Sequence, residues 1–233
     1  MISKLIVLSS NDNKFLTTLD TPLHLDKECE IALQSLEMYY CFPNITKDNN
    51  VFRYSNDSGQ SWKKIYIPIG CYTLDTLYIE IVEIIGNKGK DFTFSSLTSR
   101  VKTIVNITNP NFQIDFGYSK SFGKLLGFNS IIKDNYNESE ESINLLNINS
   151  IFVKTNLTET SIYNEKHIPF IYSFFPNALP GDKIVECPNN LIYHKLITNR
   201  IHNFEVSLVD ENDKHLDFNG ETVTIRLHLR SRC

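Results

Sequence analysis

The chain has 233 residues, of which 41% are hydrophobic and 12% aromatic, so it can bury a large core, and all-β chains of this length are often single domains. Its 23 basic and 27 acidic residues give a formal charge of −4, which argues against a general affinity for nucleic acid because that requires a basic face or stripe. No apolar run is long enough for a signal peptide or a membrane span, so we expect a protein made in the cytosol.

Two short apolar segments come first, at residues 3–9 and 15–25, on either side of a polar loop. The second contains Thr21-Pro22, which suits an edge strand or an irregular one. We interpret both as arms that reach a neighbouring subunit, and this interpretation depends mainly on the residues before Asn13. The alternative is that they are the first strands of the subunit's own sandwich. A turn at Asp26-Lys27 then leads into a core strand at 29–40, with a bulge near its end.

The next stretch predicts a hairpin, a helix and a second hairpin. Residues 51–54 and 62–69 flank turn residues and form the first hairpin. Thr73 can cap a helix that Gly86 ends, and we expect this amphipathic helix to close one end of the sandwich. Its apolar residues recur at three- and four-residue spacing: Leu74, Leu77, Tyr78, Ile81 and Ile84 or Ile85. Residues 92–94 and 101–107 form the second hairpin.

Shorter elements are predicted between residues 112 and 197. Residues 112–116 form a strand, and 119–128 form one or two helical turns pinned by Phe122, Leu125 and Leu126. Residues 134–142 contain four acidic side chains and no large aliphatic one, so we expect an exposed loop with a tendency to disorder. Further strands are expected at 150–157, 167–175, 183–187 and 191–197.

The stretch of 30 residues from Ile201 to Arg230 alternates apolar and polar side chains at both ends and contains turn residues in the middle. We predict a long antiparallel ribbon with one apolar face, which a second sheet must cover. The core side of its last strand would consist of Val223, Ile225, Leu227 and Leu229. The other side carries Arg226, His228, Arg230 and Arg232, which we interpret as a solvated face in preference to a basic patch. The fold class predicted is all-β: a single jelly-roll β-sandwich over residues 1–233, with one inserted amphipathic helix.

We predict no catalytic, cofactor-binding or metal-binding residues, and therefore no enzyme. The six histidines are isolated, and Asp115, Asp182 and Glu186 are single carboxylates that suit turns or solvent better than acid–base chemistry. The five cysteines are scattered without a CxxC pair, which favours structural or idle thiols. Trp62 and the tyrosines could form a stacking platform for a sugar, although aromatic residues spread over many strands usually belong to a core.

Four ordered sequence blocks together resemble the minor capsid (penton) protein of Polinton or Maverick elements and of adintoviruses. They comprise the N-terminal segments with Leu8-Ser9-Ser10-Asn11, Pro22-Leu23-x-Leu25 and Glu30-Ile31-Ala32-Leu33; the Ile67-Pro-Ile-x-x-Tyr72 lead into the helix; Leu125-Leu126-Gly127-Phe128; and the final blocks from Phe204 to Leu229. The resemblance covers nearly the whole chain. This sequence departs from the family where Asn212-Asp213 replaces a glycine in the turn before the second-last block.

The resemblance implies a single jelly roll that forms homopentamers at the vertices of an icosahedral shell, beside a double jelly-roll major capsid protein. It also implies a place in the virion after synthesis in the host cytoplasm, with assembly in the nucleus as an option. From the lack of site motifs, of an overall basic charge and of a long apolar run, we separately expect no cofactor, no specific nucleic-acid site and no membrane span. Two alternatives stay open: a host-exapted assembly protein that keeps the oligomeric interface, and a lectin-like β-sandwich binding module.

Overall fold

The structure is a computed structural model that describes residues 3–25, 28–86, 90–146 and 148–231. The turn predicted at Asp26-Lys27 lies outside the described residues. Within them, no helix has the length and apolar character needed to cross a membrane.

The chain is built mainly from strands, which are listed here in order. Before residue 43 they are β1 (Ser3–Ser10), β2 (Lys14–His24) and β3 (Cys29–Tyr39). The middle of the chain contains β4 (Val51–Ser55), β5 (Lys63–Tyr66), α1 (Leu74–Ile85), β6 (Phe92–Leu97), β7 (Lys102–Ile107), β8 (Gln113–Asp115), α2 (Gly123–Leu126), β9 (Ile131–Ile132) and β10 (Tyr136–Glu138). The remainder contains β11 (Ile151–Thr155), β12 (Ser161–Tyr163), β13 (Lys166–Ile168), β14 (Phe170–Phe174), β15 (Lys183–Glu186), β16 (His194–Lys195), β17 (Arg200–Val209) and β18 (Val223–Ser231).

The described chain divides into two compact units. Unit 1 comprises Met1–Phe42 and Ile148–Cys233, and unit 2 comprises Pro43–Asn147. The chain therefore leaves unit 1 once and returns to it once. That the whole of residues 1–233 acts as one jelly-roll domain with an N-terminal arm stays a prediction.

Unit 1 contains two large antiparallel sheets and the two-stranded sheet β12-β13. The first has the order β1-β18-β3-β15, with β16 also paired to β3, and the second has the order β14-β11-β17-β2. The predicted ribbon of Ile201 to Arg230 is therefore wrong, because its two strands, β17 and β18, belong to different sheets. After β17 the chain turns sharply, with an isolated bridge between Val209 and His215, and it then buries Leu216 and Phe218 before β18 begins. A strand pair whose connection crosses to another sheet is typical of Greek-key sandwiches.

The N-terminal segments are strands of unit 1 itself, as the alternative interpretation expected. β1 pairs with β18 in an unbroken register from Ser3↔Arg230 to Ser10↔Val223. β2 pairs with β17, and the register shifts between Ile201 and Asn203, close to the irregularity that Thr21-Pro22 predicted. Each of these strands ends the described order of its sheet.

The bulge predicted in the third strand exists, but it lies earlier than residues 38–40. Arg226 pairs with Ser35 and the next residue, Leu227, pairs with Leu33, so Gln34 has no opposite residue. The extra residue changes the phase of the strand. Ile31 and Leu33 are buried before it, and Leu36 and Met38 after it, which explains why the alternation in the sequence loses its period.

Unit 2 confirms the two hairpins and the helix. β4 pairs with β5 and β6 pairs with β7, both antiparallel. Thr73 and Thr76 form a reciprocal capping box at the start of α1, and Gly86 ends the helix in the left-handed conformation at φ 73°. Leu74, Leu77 and Ile81 of α1 pack into the core of unit 2.

The core of unit 2 is dominated by phenylalanine. Phe52 and Phe122 stack with an interplanar angle of 8°, and Phe116 and Phe128 stack at 13° with ring centroids 5.1 Å apart. The single helical turn of α2 and the strand β8 contribute to this cluster, as the apolar residues at 119–128 predicted.

The exposed loop predicted at 134–142 is wrong in part. Tyr136–Glu138 form β10, which pairs with β7. Ser139 is buried; its hydroxyl accepts a hydrogen bond from the amide of Thr103 and donates to the carbonyl of Glu141. Backbone pairing rather than aliphatic burial orders this acidic segment, and composition alone does not reveal such pairing.

Candidate assembly surface

The side chains of β18 alternate between the two faces of the first sheet of unit 1. Val223, Ile225, Leu227 and Leu229 are all at most 1% exposed, which confirms the prediction that they form the core side. Thr224, Arg226, His228 and Arg230 project from the opposite side and are half-buried. We call this second side the β18 outer face. Arg232, which belongs to the same predicted register, lies outside the described residues.

Arg230 is held by a carboxylate and an aromatic ring. Its Nε and Nη2 atoms donate to Glu30 Oε2 at 3.1 and 3.0 Å, and the Glu30 side chain is only 11% exposed. The guanidinium carbon lies 3.4 Å from the centroid of the Tyr193 ring, within the range of a cation–π contact. The charge of Arg230 is therefore balanced within unit 1.

The two ring nitrogens of His228 on β18 contact the segment around Tyr193 and the strand β1. Its Nδ1 lies 2.6 Å from the hydroxyl of Tyr193, and its Nε2 lies 2.7 Å from the hydroxyl of Ser3. The imidazole therefore attaches the first residue of β1 and the segment around Tyr193 to the β18 outer face.

Arg226 and Lys183 share one carboxylate. Glu37 accepts from Arg226 Nη1 at 2.5 Å and from Lys183 Nζ at 2.8 Å. The hydrogen bond from Lys183, followed by that from Arg226, lowers the pKa of the Glu37 carboxyl. The basic row predicted from the sequence is thus real, but it is not simply solvated, because its side chains are half-buried and carboxylates of β3 pair with its arginines.

The sequence alone did not indicate Glu30, Tyr193 or Ser3 as members of this network. One signal was present: Glu30 stands inside the apolar run 29–33, and a carboxylate in a buried strand needs a cationic partner. The identity of that partner, 200 residues away, depends on strand register.

An apolar margin adjoins the β18 outer face at its edge strand. Leu5 pairs with His228 and Val7 pairs with Arg226, so both project to the outer face, and each is 52% exposed. Leu16 on β2, which belongs to the second sheet, is also exposed, at 75%. Among the described strands, β1 has β18 as its only partner, so its second edge of backbone donors and acceptors is available for pairing. We call Leu5 and Val7 with this edge the β1 margin.

Trp62 and Tyr118, two of the aromatic residues considered for a sugar platform, contact Arg53 in unit 2. Trp62 is half-buried, and the guanidinium of Arg53 lies 4.6 Å from its ring centroid. Arg53 also lies 5.0 Å from the ring of Tyr118 and donates to Asp115. The guanidinium of Arg53 thus covers one face of the Trp62 ring and one face of the Tyr118 ring.

The isolated carboxylates all have contacts within the protein, and Asp115 is buried rather than in a turn or in solvent. Asp115 accepts from Arg53, Asp182 accepts from the amide of Leu179 at 3.3 Å, and Glu186 accepts from the hydroxyl of Tyr172 at 2.7 Å. Burial, followed by the contact with Glu186, raises the pKa of Tyr172 to about 12. In the parts of the chain that the structure covers, no group of three or more His, Cys, Asp and Glu side chains could hold a metal ion.

The thiols differ in their surroundings. Cys41 donates to the carbonyl of Phe218 at 3.0 Å, and burial raises the pKa of its thiol to about 11, so it is a weak nucleophile at neutral pH. Cys29 is buried, Cys71 is partly buried, and Cys187 is exposed. Cys233 lies outside the described residues.

Comparison with known proteins adds to this geometry. No protein-family model matches the chain, and no curated protein matches it either. By its strands and sheets, the chain has an all-β jelly-roll fold of the type found in penton proteins. One solved structure to which the chain is similar in fold is the crystal structure of the selenomethionine-labelled mavirus penton protein, with a TM-score of 0.54, 12% identity and coverage of 100% of both chains.

Proposed function

We propose that this chain is a structural minor capsid subunit, a penton, that forms the vertex of an icosahedral virus-like shell. In this role five copies would form a ring beside a double jelly-roll major capsid protein, within a virion. The observation that carries the proposal is the likeness of the fold to the mavirus penton protein over the full length of both chains. A likeness limited to part of the chain would be weaker support, because proteins with different functions can share a β-sandwich.

The blocks that resemble Polinton, Maverick and adintovirus pentons support the finer assignment. In two of these blocks, a residue adopts a backbone conformation that glycine favours. Gly127, within Leu125–Phe128, has φ 81°, and an added Cβ would lie 2.2 Å from the carbonyl oxygen of Glu141. In the turn where the family has glycine, Asp213 adopts φ 65°, a conformation that glycine favours and that aspartate tolerates. The substitution therefore preserves the backbone of the turn.

A closed ring requires two different patches on each subunit. The β1 margin supports the proposal that the N-terminal segment supplies one of them, since it combines exposed apolar side chains with a strand edge. Because β1 pairs with β18 along its whole length, it would serve both its own sheet and the neighbour. Deletion of residues 1–10 would weaken association, but it would also remove this strand, so substitution of the exposed side chains is the sharper test.

Light scattering coupled to size-exclusion chromatography tests the ring directly. The chain has a mass of 26.9 kDa, and a pentamer would give about five times that value. Leu5→Lys with Val7→Lys should shift the protein to monomer without lowering its melting temperature, since both side chains are half exposed. The matched control, Ile79→Lys with Ile84→Lys, alters two exposed apolar residues of α1 and should leave the ring intact.

A protein that stays monomeric at high concentration, alone and with a double jelly-roll major capsid protein, would contradict the proposal. Co-expression with that partner also separates the two assembly roles. A shell subunit should be incorporated into particles, whereas a host-exapted protein should form the ring and leave the major capsid protein unbound.

A further inference from the structure

Unit 2 contains a depression whose lining residues are separate from the β1 margin. Its volume is about 540 Å³, and it lies between residues 48–49 and the loop formed by residues 117–121. That volume is in the range of sites that bind small ligands. About half of the exposed lining is polar, and its polar side chains include Ser119, Lys120, Lys124 and Asn129.

The loop at 117–121 is fixed in position by backbone contacts. The carbonyl of Lys120 accepts from the amide of Val51 at 2.9 Å, and the amide of Ser121 donates to the carbonyl of Tyr118 at 3.0 Å. An added Cβ on Gly117 would lie 2.9 Å from the carbonyl oxygen of Asn129, so the two walls approach closely there. The depression is therefore formed before any ligand arrives, which reduces the entropic cost of binding.

The lining carries two ammonium groups and one carboxylate, and a second carboxylate adjoins it, because Asn129 Nδ2 donates to Glu141 Oε1 at 3.3 Å. Lys120 and Lys124 are exposed and line the depression, whereas Asp48 is the one carboxylate in the lining. Within the described residues, neither lysine has a carboxylate partner. A third ammonium is close to the wall, because Lys64 donates to the hydroxyl of Tyr118 at 2.5 Å.

Lys120 occupies an unfavourable backbone conformation. Its φ is 65°, in the left-handed region where glycine is relaxed and other residues are strained. Such strain often accompanies a functional side chain. Glycine at this position would keep the backbone conformation of the loop, so the loop's shape does not require a lysine. We therefore attribute any function of Lys120 to its side chain.

We propose that this depression binds an acidic sugar, one that carries a carboxylate or a sulfate group. The ammonium groups of Lys120 and Lys124 would bind the anion, while Ser119, Asn129 and the carboxylate of Asp48 would bind sugar hydroxyls. Single-stranded nucleic acid fits less well, because its bases need an open aromatic face, and Arg53 and Lys64 lie against the ring of Tyr118 at 5.0 and 4.3 Å. This inference concerns a single subunit and does not depend on the shell role.

Titration calorimetry and amide NMR on the full chain test the proposal. The probes are sialyllactose for the carboxylate, a sulfated heparin disaccharide for the sulfate, and neutral lactose, inorganic phosphate and a thymidine decanucleotide for comparison. At least one acidic saccharide should bind at least tenfold more tightly than lactose and shift the amide signals of Gly117 and Ser119. Equal binding of lactose, or tighter binding of phosphate or the oligonucleotide, would overturn the proposal.

Two variants locate the binding to this depression. Lys120→Gly with Lys124→Gln should weaken binding at least tenfold while the melting temperature stays the same or rises, because glycine relieves the strained φ. The control Lys63→Gln removes an exposed charge of the same unit outside the lining and should change affinity less than twofold. An unchanged affinity in the double variant, or an equal loss in the control, would contradict the assignment.

Discussion

The two compact units fill their interiors with different side chains. The main strands of unit 1 are 8 to 11 residues long, and β3 and β18 contribute mostly isoleucine and leucine to its core. The strands of unit 2 have six residues or fewer, and seven phenylalanines form the centre of its core. A long strand has many inward positions, one at every second residue, so side chains of moderate size are enough to form a continuous core surface. A short strand offers few inward positions, and large rings bury more area at each of them.

The sharpest way to disrupt unit 1 is to place a charge inside its first sheet. Leu227→Asp should destabilise the protein by several kcal/mol, because the carboxylate would be buried without a partner at a site that is 0% exposed. Chemical denaturation measures the loss. Leu227→Met, which conserves volume, should cost less than about 1.5 kcal/mol. An unchanged melting temperature in Leu227→Asp would show that this residue does not face a core.

The corresponding test of unit 2 removes one ring. Phe122 stacks on Phe52 and meets Phe116 edge to face, so Phe122→Ala should cost about 3–5 kcal/mol through lost contacts and the cavity that remains. Tyr66→Ala is the control, since that ring is 67% exposed, and it should change the free energy of unfolding by no more than about 0.5 kcal/mol. A small loss in Phe122→Ala would mean that the aromatic cluster can collapse around the missing ring.

Ion pairs allow a second comparison between the units. Arg230→Ala should cost about 1–3 kcal/mol because the mostly buried Glu30 carboxylate loses two charge-assisted hydrogen bonds. Arg100→Ala in unit 2 breaks a pair with Glu138 in which the arginine side chain is 61% exposed, and it should cost at most about 1 kcal/mol. Equal losses, measured by denaturation at low and high salt, would contradict the assigned difference in burial.

The hairpin tip of unit 2 can be stabilised. Val101 is an exposed, β-branched residue at φ 54°, which is a strained combination. Val101→Gly should raise the free energy of unfolding by about 1 kcal/mol, whereas Val101→Ala, which keeps the Cβ, should gain less. A loss of stability in Val101→Gly would show that the valine side chain makes a contact that outweighs the strain.

The smallest effect is expected in the turn at Asp57. Hydrogen bonds from the hydroxyl and amide of Ser61, and from Ser55, lower the pKa of this carboxyl to about 2. Because the folded-state pKa is depressed, the stabilisation is present above the ordinary value near 4 and is lost as the pH falls from about 4 to about 2. NMR titration should show this pKa, and Ser61→Ala should raise it. An ordinary pKa in the unmodified protein would exclude these hydrogen bonds.

The sequence by itself determined the elements whose causes are local. Thr73 and Gly86 define the ends of α1 because the capping groups and the backbone they bond lie within a few residues. The alternation of β18 predicted its buried side because the period of a strand is a property of the strand alone. The hairpins β4–β5 and β6–β7 followed from turn residues between neighbouring apolar runs.

Only the tertiary structure decided which distant segments meet. β17 and β18 are adjacent in sequence and both alternate, yet they belong to different sheets, since alternation specifies a face and not a partner. The contact of Arg230 with Glu30 and Tyr193, and of His228 with Ser3, depends on a register set by the packing of whole sheets. Backbone pairing likewise placed β10 in a segment whose acidic composition predicted a loop. Long-range pairing depends on the sum of many contacts across the fold, so no short stretch of sequence contains enough information to specify it.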